Sequence, residues 1–266
     1  HNQLRKPAFT QFMKALVERA IALRIGQQVT DVAQGDFKQV LLQDGTSFAV
    51  HKRLATVFPG RFKTISPAAI ECHVLMSLLE QKPVCMQLSA DTASERQFLP
   101  DANALTGSLL LADAGYISHA YFAEVNKAGG FYLVRGSKNL NPEILNAWRD
   151  DGRTVPKLTD MSLKDAGRRH CRAEVLDMDV KSGQYEYRLL RRWFAEEKRF
   201  CIWMTNLPRD AWPAERVMRL YRCRWQVELL FKEWKSHNNL KGFVTGQQAI
   251  AEGLVWASLL SLVLKR

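Results

Sequence analysis

The stretch Leu220-Tyr-Arg-Cys-Arg-Trp-Gln-Val-Glu-Leu-Leu-Phe-Lys-Glu-Trp-Lys235 decides how the rest of this sequence is read. Its apolar residues recur at helical spacing, within a helical pattern that runs over residues 214–236. Tyr221, Arg224, Glu228 and Lys235 stand at offsets of 0, 3, 7 and 14. At about 100° per residue they share a wedge roughly 60° wide, and at 1.5 Å per residue the row extends about 21 Å. Leu220, Cys223, Val227, Phe231 and Trp234 make an apolar stripe about 100° away. The expected helix therefore packs one side on a core and carries a phenol, a guanidinium, a carboxylate and an ammonium along the adjoining side. Geometry alone leaves two readings open. One is a solvated face with ordinary i,i+4 ion pairs. The other is a phosphate-tracking surface with an acid at its centre, to which Arg216, Arg219 and Arg222 add positive charge.

Working outward, the chain has 266 residues, 47% hydrophobic and 10% aromatic, enough to bury a full core in one large domain or two small ones. That composition excludes intrinsic disorder, collagen-like structure and a disulfide-stapled miniprotein. The balance of Lys+Arg 38 against Asp+Glu 27 gives +11. Such a surplus favours polyanions through counterion release, although a membrane surface or plain solubility would also account for it. The longest apolar run, Leu254 to Leu264, is about 11 residues against the ~18 needed to cross a bilayer, so no membrane partner is expected. Five cysteines (Cys72, Cys85, Cys171, Cys201, Cys223) show neither C-x-x-C pairs nor zinc spacing and read as small core residues in a reducing cytoplasm. His51, His73, His119, His170 and His237 show no metal-ligand spacing. The chain opens at His1 with no signal-peptide pattern and stops at Arg266 straight after an apolar stretch, so it reads as a fragment.

Phe9 to Ile25 has helical periodicity. Gln39-Val-Leu-Leu-Gln-Asp44 predicts a short strand ending in a carboxylate and a Gly-Thr turn, with Ser47–Val50 as its hairpin partner. Ala69–Leu78 and Val84–Ser89 predict two more strands, and Ser94 to Leu105 a helix. Ser108-Leu-Leu-Leu-Ala-Asp113 is another buried-looking strand ending in a carboxylate, followed by a helix (Ser118 to Lys127) and a strand (Phe131–Val134). Residues 138–200 change to polar turns alternating with short strands, and Ala249–Leu264 closes the chain as an apolar helix. The order fits a mixed α/β sheet with an insertion better than a sandwich or a doubly wound fold.

Tyr221-x2-Arg224-x3-Glu228-x6-Lys235 resembles the Y-(2)-R-(3)-E-(6)-K signature of bacterial DDE transposases of the insertion-sequence-4 family. Four fixed residues at fixed spacing arise by chance in roughly one chain of this length in 600, at ~5% usage each. The resemblance implies an RNase H-like, retroviral-integrase-type fold, a mixed sheet flanked by helices and interrupted by a β-rich insertion. It places the segments as follows: a remnant of an N-terminal helical region over 1–36, the first part of the catalytic domain over 37–137, the insertion over 138–200, and the C-terminal catalytic helices over 201–266.

The resemblance further implies two metal-binding aspartates on adjacent strands and a glutamate on a later helix. Asp44 and Asp113 sit where the aspartates belong and Glu228 is the glutamate; Asp31, Asp36 and Asp91 are rivals for the first. These three carboxylates would hold two Mg2+ or Mn2+ ions for in-line attack of water or a DNA 3′-hydroxyl on a phosphodiester, giving cleavage at the element's ends and strand transfer into target DNA. Tyr221, Arg224 and Lys235 would bind phosphates of double-stranded DNA. Trp193 or Trp203 could hold a flipped base, though packing of the insertion is the plainer role for both. Lys52, Arg53, Arg61 and Lys63 form a basic cluster that either helps to hold DNA or is a solvated loop. The expected partner besides DNA is a second copy of the chain, and the expected location is the bacterial cytoplasm, at the nucleoid. Two alternatives stand beside this one: a truncated transposase remnant that binds DNA without catalysis, and a stand-alone RNase H-like nuclease.

Overall fold

The computed structural model describes residues 6–22, 35–80, 82–169, 175–225 and 245–264. In chain order the helices are α1 (Pro7–Ala22), α2 (His119–Lys127), α3 (Leu163–Arg169), α4 (Ala214–Arg222) and α5 (Gln248–Leu264). The strands are β1 (Val40–Ala49), β2 (Pro59–Phe62), β3 (Ser66–Ser77), β4 (Lys82–Ala90), β5 (Leu109–Ala112), β6 (Phe131–Arg135), β7 (Glu143–Arg149), β8 (Val175–Ser182), β9 (Tyr185–Phe194) and β10 (Arg199–Thr205). They fall into two compact units, one of residues 1–31, 41–98 and 224–266, the other of residues 32–40 and 99–223.

In the first unit β3 is central, and all but its first two residues are buried, the polar Glu71, His73 and Ser77 included. It pairs antiparallel with β1 on one edge, and with β2 and β4 on the other. The β1 register runs without a break from Leu41↔Ser77 to Ala49↔Ala69. The hairpin expected at Asp44-Gly-Thr is therefore absent: Asp44 lies inside the strand, opposite Val74. The inward alternation of Leu42, Thr46 and Phe48, all buried, runs straight through that tripeptide, and burying this face outweighs the local turn preference. In β2, a Cβ at Gly60 would collide with the Ser66 carbonyl, so the close approach of the two strands requires glycine. Helix α1 packs on α5 and on β4, and Val17 of α1 and Val255, Trp256 and Leu259 of α5 are buried.

The opposite face of β1 and β3 buries polar side chains. Ser47 Oγ donates to Asp91, and Arg61 donates to Glu71 Oε2 at 2.9 Å, to Glu95 Oε1 at 3.2 Å and, through its backbone N–H, to Asp91 Oδ2 at 2.8 Å. His73 stacks on Phe98 with ring centroids 3.6 Å apart, and its Nε2 lies 2.9 Å from Ser89 Oγ and 4.0 Å from Glu71. Burial pushes the Glu71 carboxyl up to about 7 against the pull of Arg61, while burial and then Arg61 lower His73 to about 4. Between the ordinary 4.5 and about 7, folded Glu71 keeps a proton that the unfolded chain has released, so its contribution to stability falls as pH rises. Between about 4 and the ordinary 6.5, His73 stays neutral where the unfolded chain is protonated, so its contribution rises with pH. The two slopes oppose each other over the shared window. Glu71→Gln is therefore expected to melt at temperatures that climb from pH 4.5 to 6.5 more steeply than those of the wild type; equal slopes in a thermal titration would refute this.

The second unit carries strands in the order β5-β6-β10-β9-β8-β7. Strands β5 and β6 are parallel, joined across α2, whose first turn is capped by Ser118 Oγ accepting from the Tyr121 N–H. Strands β8 and β9 form a hairpin through Gly183-Gln184, where Gly183 takes φ +59, as the first central residue of a type II′ turn does. The helix expected over 94–105 is two short 3-10 turns, Glu95–Phe98 and Ala102–Leu105. Pro100 stands between them, without an N–H and pushing Leu99 away from helical angles.

A buried ion pair ties the β8–β9 hairpin to the segment leading into α4. Arg188 donates to both oxygens of Asp177 at 2.9 and 2.6 Å, and to the carbonyls of Leu207 and Trp212, each at 2.9 Å. Arg209 adds a bond to Asp177 and one to Asp179, and lies 3.9 Å over the Trp148 ring. Trp212 in turn stacks on Phe37 at 5.2 Å and lies under Arg216, which donates to Asp36 at 2.7 Å. The start of α4 is thus gripped from the hairpin on one side and from residues 36–37 on the other.

Candidate active site

Asp44 points from β1 to the face shared with Leu42, Thr46 and Phe48. The Gly45 N–H donates to its Oδ1 at 2.9 Å, and Arg224 Nη1 donates to its Oδ2 at 2.8 Å. The pair is largely removed from water, with side-chain exposures of 13% for Asp44 and 6% for Arg224. A charge-assisted bond in such surroundings is considerably stronger than one at the surface.

Asp113 belongs to the second unit. It follows β5, every residue of which is buried, and precedes the 3-10 turn Ala114–Tyr116 without capping it through its side chain. Tyr221, in the last turn of α4, donates its hydroxyl to the Ala112 carbonyl at 3.2 Å, one residue before Asp113. Its ring meets the edge of Trp203 at 6.2 Å. Beside Asp113, β6 ends in Arg135, which pairs with Trp203.

The uninterrupted helix expected over 214–236 is corrected here. Helix α4 ends at Arg222, and the chain turns at Cys223 and Arg224. Leu220 and Cys223 are buried as the apolar stripe requires, but Tyr221 and Arg224 are buried too, at 8% and 5% exposure, instead of facing water. A helical wheel assigns direction only while the helix continues, and nothing in it foretells that the Arg224 side chain meets a carboxylate from a distant strand. Glu228 and Lys235 lie outside the described residues, as does Asp31.

The other sequence candidates find ordinary partners. Asp36 pairs with Arg216, and Asp91 accepts from Ser47 and Arg61, as Asp44 accepts from Arg224. Within the basic cluster, Arg61 is committed to Glu71, Asp91 and Glu95. Trp193 packs on Phe200 at 4.6 Å, and Trp203, at 7% exposure, packs on Tyr221. His51 accepts from the Arg53 N–H, and Cys72, Cys85, Cys201 and Cys223 are free thiols. Sequence reading missed the Arg188–Asp177 pair, because an Arg and an Asp 11 residues apart carry no signal until the hairpin brings them together.

Carboxylates on ordered backbone suit a hard divalent cation, and at Asp44 a cation is already present, since the Arg224 guanidinium stands where positive charge is stabilised. Among the described residues no group of three His, Cys, Asp or Glu side chains converges.

The profile of the family described as "Transposase DDE domain" matches residues 35–264. The chain belongs to the transposase DDE domain family. The transposase for insertion sequence element IS231E of Bacillus thuringiensis subsp. finitimus is 24% identical over 75% of this chain and 50% of its own length. That for IS231F of Bacillus thuringiensis subsp. israelensis is 22% identical over 95% of this chain and 61% of its own length. A 61-residue stretch is 39% identical to the putative transposase InsL for IS186A of Escherichia coli (strain K12), covering 23% of this chain and 16% of that protein. This DDE domain thus spans between 50% and 61% of the two Bacillus transposases. Its mixed α/β sheets with flanking helices have the architecture expected of an RNase H-like fold. Among its described residues no helix is long and apolar enough to cross a membrane.

Proposed function

We infer that this chain is the catalytic core of a DNA transposase that cuts DNA at the ends of an insertion sequence and joins them to target DNA by phosphoryl transfer. The observation that carries this reading is the family match over residues 35–264, within which Asp44 and Asp113 stand on or directly after buried strands. Asp44, Asp113 and Glu228 are the proposed ligands of two Mg2+ or Mn2+ ions. Bound there, such ions would supply an activated attacking oxygen and charge neutralisation at the leaving oxygen. Tyr221 fixes the end of α4 against the backbone beside Asp113. Arg224 and Lys235 supply positive charge for DNA phosphate, Arg through a bidentate grip and Lys as a point charge. The surplus of +11 favours that polyanion over the whole surface. The working form on DNA is a dimer of this chain, in the bacterial cytoplasm at the nucleoid.

The test is incubation of the chain with duplex DNA carrying the element's ends, with Mg2+, Mn2+ or EDTA. Metal-dependent nicking at the ends followed by joined products is expected. Salt-sensitive binding with no cleavage in either metal would make the chain a DNA-binding remnant, and cleavage without regard to ends would make it a nuclease.

A further inference from the structure

We propose that Arg224 is an exchangeable counter-cation: its guanidinium occupies Asp44 until a divalent cation takes that carboxylate, and it then turns to DNA phosphate. The inference rests on the reading of Asp44 as a metal ligand.

Three observations carry it. First, Arg224 Nη1 lies 2.8 Å from Asp44 Oδ2, while the other oxygen is held by the Gly45 N–H. A guanidinium and a divalent ion sharing one carboxylate oxygen would repel each other in a site largely shielded from water. Second, a carboxylate this buried needs compensating charge at every stage, so a cation that leaves must be replaced by one that arrives. Third, the regular helix ends at Arg222, and Arg224 sits on a turn, where its side chain can be redirected without unwinding a helix.

Guanidinium suits both stations, because its planar fork of donors fits carboxylate and phosphate alike. The exchange makes metal and DNA binding mutually reinforcing. Phosphate draws Arg224 away and opens Asp44 to the ion; the ion displaces Arg224 and offers it to phosphate. Linkage requires the two effects to be equal in size. The chain without DNA is accordingly a weak metal binder by construction.

The experiment is a Mn2+ titration followed by the electron paramagnetic resonance of the free ion. It is run on the wild-type chain, Arg224→Gln, Arg224→Lys, Asp44→Asn and Asp113→Asn, each with and without an element-end duplex, and with folding checked by circular dichroism. Without DNA, Arg224→Gln is expected to bind Mn2+ about tenfold more tightly than the wild type, because the competing cation is gone. Arg224→Lys keeps a cation beside Asp44 and is expected to stay within about threefold of the wild type, which preserves the test if the Gln variant folds poorly. DNA is expected to raise Mn2+ affinity in the wild type and to leave that of Arg224→Gln nearly unchanged.

Equal or weaker Mn2+ binding by Arg224→Gln, or an equal gain from DNA in both proteins, overturns the exchange. If the wild type cleaves element ends while that happens, the transposase reading survives and only the exchange falls. If Asp44→Asn leaves Mn2+ binding intact, the ion is not at Asp44, and both the exchange and that ligand assignment are lost.

Discussion

Glu228→Gln is expected to abolish strand cleavage, by at least about 10³-fold, while binding of element-end DNA changes less than about threefold. The substitution keeps the size of the side chain and removes only the negative charge that a divalent ion requires. At 1.36 kcal/mol per factor of ten, the expected loss corresponds to about 4 kcal/mol of transition-state stabilisation. Because affinity for duplex DNA comes mainly from cationic contacts to phosphate, losing one carboxylate should leave it intact or strengthen it slightly. Single-turnover cleavage and a binding isotherm at one fixed salt concentration separate the two quantities. Cleavage retained within tenfold of the wild type would remove Glu228 from the ligand set.

The other large effect concerns folding. Arg188→Ala should destabilise the chain by about 3–5 kcal/mol, since it leaves the Asp177 carboxylate buried without its principal partner. It also strips the Leu207 and Trp212 carbonyls of a donor. In a chain of this size that is a drop in melting temperature of about 10 °C. The double variant Arg188→Met/Asp177→Leu should recover part of the loss, because it removes the stranded charge. Recovery should stop short of the wild type, because the two carbonyls remain unsatisfied. Full recovery in a double-mutant cycle would mean that the link to the segment before α4 contributes nothing.

How much was legible in the sequence depended on how local each signal was. The strands β3, β5, β6 and β9 and the helices α1, α2 and α5 follow from runs and periodicities that need no distant partner. Errors arose where a local preference met a long-range one. Asp44-Gly-Thr has the chemistry of a turn, but β3 supplies a partner for every residue through it. Pro100 splits a segment whose other residues favour a helix. At the site, the sequence singled out Asp44, Asp113, Tyr221 and Arg224 as residues to examine. It offered no means of seeing that the last two turn inward, one to a backbone carbonyl and the other to a carboxylate 180 positions away. Such contacts depend on tertiary approach, which neither spacing nor periodicity encodes.

The two faces of β1 carry different polar chemistry: Asp44 meets Arg224 on one, and Ser47 meets Asp91 beside Arg61 on the other. Since neighbouring side chains point to opposite sides, a slip of one residue against β3 would exchange these sets. Asp44 would then lie opposite His73 or Leu75, away from Arg224 and on the face that holds Glu71 and Asp91, and Leu42 and Phe48 would be driven in among charges. Misalignment is thus penalised electrostatically as well as by lost apolar burial, and the strand that bears the first acid carries its own proofreading during assembly.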